Sequence, residues 1–109
     1  MPERARIQVP PAKLADLCRR NNVQRLSLFG SVLRDDFALD SDVDMLVEFV
    51  PGTVVGYLGL AAMEIELAEI VGRRVDLRTP AELSRYFRDE VLAEAEVQYV
   101  QSILSNRSG

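Results

Sequence analysis

The run Asp42-Val43-Asp44-Met45-Leu46-Val47-Glu48-Phe49 constrains the fold of this chain more than any other stretch. Successive side chains of an extended strand point to opposite faces. Val43, Met45, Val47 and Phe49 therefore form a row suited to a core, and Asp42 and Asp44 project together from the other side. This segment predicts a strand over Asp42 to Phe49 that is buried on one face and holds two carboxylates at its start. Two like charges fixed side by side repel each other, and a divalent cation relieves that cost most simply. Upstream lie Asp35, Asp36 and Asp40, which make five aspartates between Asp35 and Asp44. Those three read as the solvated surface of a loop. Asp40, Asp42 and Asp44 also match the opening of an EF-hand calcium loop, but position six is Met45 where glycine is needed and position twelve is Pro51 where glutamate is needed.

The rest of the chain divides into alternating helical and extended pieces. Leu14, Leu17 and Cys18 recur at helical spacing after Pro10-Pro11, and Asn21-Asn22 is a stop signal, so a helix is expected over about 11–21. Leu26, Leu28 and Phe29 form a short strand, followed by the turn residues Gly30-Ser31 and a brief helical turn from Val32. Pro51-Gly52 closes the second strand. From Tyr57 to Val71, Leu60, Met63, Leu67 and Ile70 share one helical face, and Glu64, Glu66 and Glu69 face outward. Gly72 fits a C-terminal cap, and Arg74 to Leu77 make a third strand. Thr79-Pro80 has the form of a helix N-cap with proline at the first position, and the remainder reads as mainly helical through Leu83, Phe87 and Val91. Val97, Tyr99 and Gln101 alternate as in an edge strand, with a continued helix as the alternative. The fold class is α/β (α+β), with a small mixed sheet flanked by helices.

Composition removes several classes of chemistry. With no histidine in 109 residues, Ser-His-Asp and Cys-His nucleophile systems and imidazole metal sites are ruled out, and carboxylates become the main candidates. A net charge of −4 argues against a broad grip on long nucleic acid. The single cysteine, Cys18, has no internal disulfide partner. The first ten residues lack the apolar segment of a signal peptide, and no apolar run approaches the roughly 20 residues that cross a bilayer. The expectation is one cytoplasmic domain over 1–109, with its core at about 25–100.

Gly30-Ser31 stands where a strand ends and a helical turn begins. Free backbone N–H groups and a hydroxyl converge there, which favours anions. Alone, the pair is equally an ordinary turn. With Asp42 and Asp44 eleven and thirteen residues after Ser31, Arg34 in between and Asp76 on a later strand, the pattern G-S-x10-D-x-D resembles the DNA polymerase β-like nucleotidyltransferase superfamily, above all its minimal, MNT-type branch. The likeness runs from about Leu26 to Tyr99 and includes "FGSVLRDDFALDSDVDMLVEF", "GYLGLAAMEIELAEIVGRRVDLRTP" and "FRDEVLAEAEVQYV". One departure is Asp35, where the family commonly has glycine after the arginine.

The resemblance implies a polymerase β-like palm in which Gly30, Ser31 and Arg34 bind a nucleoside triphosphate such as ATP. It makes Asp42, Asp44 and Asp76 the catalytic carboxylates and the ligands of Mg2+, two ions in all. A hydroxyl would attack the α-phosphate, Asp76 would take or relay its proton, and pyrophosphate would leave. Arg74, Asp76 and Arg78 share one face of the third strand, so Asp76 also has a plainer role as an ion-pair partner. Many minimal members resemble the antitoxin of a toxin-antitoxin pair and transfer AMP to a tyrosine of a helical HEPN-type toxin. Transfer to a small-molecule hydroxyl and a non-catalytic nucleotide- or partner-binding module are the alternatives.

Overall fold

Pro11 opens the first helix, α1 (Pro11–Arg20), at a position whose N–H would have no helical partner in any case. The computed structural model describes residues 7, 9–33, 41–83 and 85–101, and for Ser31, Arg85 and Tyr86 the backbone only. Leu14, Leu17 and Cys18 are the buried residues of α1, as their spacing predicts. The helix ends where Asn21 donates its side-chain N–H to the Leu17 carbonyl at 2.8 Å and Asn22 takes φ +56°, the left-handed conformation that asparagine tolerates better than most residues. That reversal lets strand β1 (Val23–Phe29) start three residues before the expected Leu26.

A 3-10 turn (Gly30–Leu33) follows β1 directly. Strand β2 (Val43–Phe49) pairs antiparallel to β1, with Phe29 opposite Asp44 and Leu26 opposite Val47. Helix α2 (Tyr57–Val71) then crosses over to β3 (Val75–Arg78), which pairs parallel to β2. Parallel neighbours need a connection of this length. Gly72 caps α2 at φ +74°. The sheet order is β3-β2-β1-β4, the last strand being β4 (Glu96–Val100), antiparallel to β1. The final segment is thus the edge strand, not a continued helix.

Two expectations need correction. The helical stretch after Thr79 is broken: a short 3-10 turn (Pro80–Glu82) ends at Leu83, whose backbone is extended, and helix α3 begins only at Arg85 and runs to Glu94. Thr79 and Glu82 form a reciprocal cap, with the Thr79 N–H donating to Glu82 Oε1 at 2.8 Å, and this local closure completes the turn on its own. Glu64 does not face outward. Its Oε2 accepts the backbone N–H of Leu77 at 2.8 Å, so it covers the outer edge of β3. A free N–H at a half-buried edge recruits a carboxylate within reach.

Side chains from α1, α2 and one sheet face form the main core, which includes Leu14, Leu17, Leu28, Val43, Met45, Val47, Met63 and Leu67. The opposite face carries a second, smaller cluster of Phe29, Leu46, Leu83 and Val91. Burying a leucine side chain stabilises by about 1.5–3 kcal/mol, and Leu46 is fully buried although strand alternation puts it on the face of Asp44. The strand is clamped from both sides one turn of the pleat beyond the carboxylate. No helix among the described residues is long and apolar enough to cross a membrane.

Candidate active site

Gly30 is the hinge of the site. It follows the last residue of β1 with φ +79°, a left-handed conformation costly for any residue with a Cβ. A Cβ at this position would also overlap Asp44 Oδ2 and lie 3.3 Å from Asp44 Cγ. Two constraints therefore demand glycine, the left-handed backbone and the closeness of Asp44, which the pairing of Phe29 with Asp44 brings alongside. The Gly30 backbone lies directly against the Asp44 carboxylate.

On the other side of Asp44, the parallel register sets Asp76 beside it. Neighbouring strands are about 4.8 Å apart, and register partners share a face. Asp42 immediately precedes β2, where the N–H of Val43 donates to the Arg74 carbonyl at 2.8 Å and brings β3 alongside. The sheet thus collects Gly30, Asp42, Asp44 and Asp76 at one end, from three separate segments.

Arginines are interleaved with this acidic row. Arg78 grips Asp76 with two parallel contacts, Nε to Oδ1 and one terminal nitrogen to Oδ2, both at 3.1 Å. These hydrogen bonds, followed by the charge of Asp76, raise the Arg78 pKa, and Asp44 adds to the same effect. Arg74, expected beside Asp76, instead pairs with Asp42 at 3.1 Å from its Nε. Glu48 shares the Asp44 face but pairs with Arg25 at 3.1 Å. It stands four residues from Asp44, about 13 Å along the strand, which removes it from this group.

Among the described residues, no three acidic side chains already converge on a point where a metal ion would be held. The residues present nevertheless fit a hard divalent cation. Every donor is a carboxylate oxygen, Asp44 and Asp76 are adjacent in register, and the like charges of the row are met by guanidinium groups. The side chain of Ser31 lies outside what the structure describes, as do Arg34, Asp35, Asp36 and Asp40. Helix α3 also reaches this turn, a neighbourhood that the sequence did not show. Phe87, Glu90, Val91 and Glu94 line a small cavity with Phe29 and Gly30. Their i, i+3, i+4, i+7 spacing was visible, but not the element that they face.

A four-stranded mixed sheet with a glycine turn packed against paired aspartates defines a nucleotidyl-transfer scaffold, and comparison with known proteins agrees. The nucleotidyltransferase domain family matches residues 12–100, and the chain belongs to this family of transferases. A Methanocaldococcus jannaschii protein, provisionally named a protein adenylyltransferase, is 35% identical over 83 residues, covering 76% of this chain and 87% of that protein. The protein adenylyltransferase MntA of Thermococcus cleftensis is 34% identical over 79 residues, covering 72% and 78%. The fold also matches a chain in the solved complex of a tri-AMPylated Shewanella oneidensis HEPN toxin with MNT antitoxin. There the TM-score is 0.61 at 20% identity, covering 90% of this chain and 74% of that one.

Proposed function

We propose that the chain transfers AMP from ATP to a tyrosine hydroxyl of a HEPN-type helical toxin and so acts as the antitoxin of a cytoplasmic toxin-antitoxin pair. The observation that carries this reading is the contact of the Gly30 backbone with Asp44, itself in register with Asp76. The adenylyltransferase names of the two relatives, and the AMPylated HEPN toxin in the related complex, support the choice of AMP and of a protein acceptor. Residues 1–109 act in this reading as one minimal domain with its core at about 25–100.

Gly30 and Ser31 hold the triphosphate. The missing Cβ makes room for the Asp44 carboxylate beside the turn, and the backbone N–H groups of the turn meet the phosphate oxygens, with Arg34 assisting. Asp42 and Asp44, with Asp76, would hold two Mg2+ ions, which when bound offset the charge that develops on the phosphoryl oxygens. Asp76, kept in one orientation by the Arg78 fork, takes the proton of the attacking hydroxyl. The acceptor oxygen bonds to the α-phosphorus, the bond from that phosphorus to the bridging oxygen breaks, and pyrophosphate leaves.

The test is label transfer from α-labelled ATP, with Mg2+, to proteins that co-purify with the chain. Label on a co-purified helical protein, located at a tyrosine as a mass increase matching AMP, is the expected result. Label found only on a small molecule, or on nothing, defeats the antitoxin reading.

A further inference from the structure

Helix α2 is apolar on more sides than its packing uses. Met63 and Leu67 are buried against the sheet, and Leu60, Ala68 and Ile70 pack beside them. On the opposite side Leu58, Ala61, Ala62 and Ile65 form a second row at i, i+3, i+4, i+7 spacing. All four are exposed, Leu58 by 88% and Ile65 by 63%, and next to the start of the row Val54 and Tyr57 are 95% and 88% exposed. Of the three charges on α2, Glu64 is bound to the rim of β3 and Glu66 to Arg20, so only Glu69 stands on the outward side. A helix that is apolar all round is ordinarily buried all round.

The size and pattern of this face say what covers it. With roughly 150–250 Å² for the tyrosine and somewhat less for each aliphatic side chain, the patch presents on the order of 600 Å², the upper end for a monomer surface. Two such patches laid together would bury about 1,200 Å², which reaches the range of specific interfaces. The row is also self-complementary, because it reads large, small, small, large from either end of its Ala61–Ala62 midpoint. We propose that the chain forms a homodimer through this face, about a two-fold axis that passes the midpoint and sets the two α2 helices antiparallel. Leu58 of each copy packs on Ile65 of the other, and the alanines meet their own copies at the axis, where small side chains let the helices approach closely. The two Glu69 side chains lie at opposite ends. A lipid surface is the poorer occupant, since Val54 to Val71 contains no lysine or arginine to hold anionic headgroups. The acidic row of the sheet lies at the end where α2 finishes, about 10 Å along the helix from Ile65. The dimer therefore leaves both acidic rows open and needs no part of the transfer reaction.

Sedimentation equilibrium of the full-length chain alone tests this. A monomer–dimer equilibrium in the micromolar range is expected, as suits an interface of modest area. It should tighten a few-fold as salt rises, because screening relieves the repulsion between two chains that each carry a net charge of −4. Ile65→Glu should weaken it at least a hundredfold, and circular dichroism should be unchanged because the position is exposed. Cross-linking by mild oxidation checks the arrangement, and Cys18, buried with its thiol pushed up to about 12, leaves an added cysteine as the reactive one. Ala62→Cys should link two chains efficiently. Leu58→Cys alone should not, and the pair Leu58→Cys, Ile65→Cys should. A wild-type chain that stays monomeric to millimolar concentration, a dimer that survives Ile65→Glu, or one that loosens as salt rises would each overturn the inference. Self-linking of Leu58→Cys alone would overturn the antiparallel two-fold. Capture of a different helical protein by this face, with no dimer of the chain itself, would also defeat it.

Discussion

The two faces of β2 differ in what they leave to chance. On one, Val43, Met45 and Val47 are almost completely buried beneath α1 and α2. On the other, Asp44 and Glu48 are half-exposed and flank Leu46, which is fully buried. The apolar face is a broad layer in which many side chains share the load. The charged face depends on single contacts: Gly30 against Asp44, Arg78 on Asp76, Leu46 under α3. A strand with one dry residue between two charged ones is fixed in position without having its carboxylates covered. That is how rigid support and access to ligand coexist on one short segment.

If this division is right, substitutions on the two faces should separate chemistry from stability. The largest effect on chemistry is expected from Asp44→Asn, which should lower nucleotidyl transfer by about 10²–10³-fold, the loss typical for removing one essential electrostatic contact. The thermal midpoint should hardly move, since relief of like-charge repulsion with Asp76 offsets the lost attraction to Arg78. A variant that unfolds on this substitution would show that the acidic face is structural. Gly30→Val combines left-handed strain with overlap on Asp44 and should cost about 2–4 kcal/mol in urea unfolding. It should also abolish nucleotide binding, measured by calorimetry at a temperature where the variant remains folded. Leu46→Ala should cost about 2–4 kcal/mol. Transfer should fall only as far as the folded fraction falls. A larger loss of transfer in fully folded protein would mean that the second core also positions Asp44.

The smallest effect concerns the apolar side. Burial in α1 pushes the Cys18 thiol from 9.0 up to about 12. The folded chain keeps that proton while the unfolded chain releases it, so the contribution is complete below about pH 9 and is lost as pH rises toward 12. Urea midpoints at pH 8 and pH 10.5 should therefore fall further apart in the wild type than in Cys18→Ala. An identical fall in both proteins would show that the thiol has no part in the alkaline loss.

Much of this was legible because it depends on local chemistry. The period of two in β2, the proline and asparagines that bound α1, and the glycine after Phe29 each act within a few residues. The family resemblance joined Gly30 to Asp42, Asp44 and Asp76, and the fold does bring these four to one end of the sheet. What escaped depends on which segments become neighbours. Alternation put Leu46 on the outer face, and only the docking of Leu83 and Val91 over it makes that position dry. Helical period put Glu64 outward, but the crossover lays α2 along the rim of β3, where an unpaired N–H waits. Arg74 and Arg78 share a face with Asp76, yet the parallel register sends Arg74 to Asp42 and leaves Asp76 to Arg78.

The contact between Glu64 and Leu77 bears on how the chain behaves in a crowded cell. An uncovered sheet rim is a template on which another extended chain can be laid, the first step of ordered aggregation. β3 is such a rim, and it carries one of the carboxylates. With the Leu77 N–H already engaged by Glu64, an incoming strand finds one of its anchoring points taken and meets a negative charge in its path. The rim beside Asp76 can then stay open to small charged ligands without recruiting further chains.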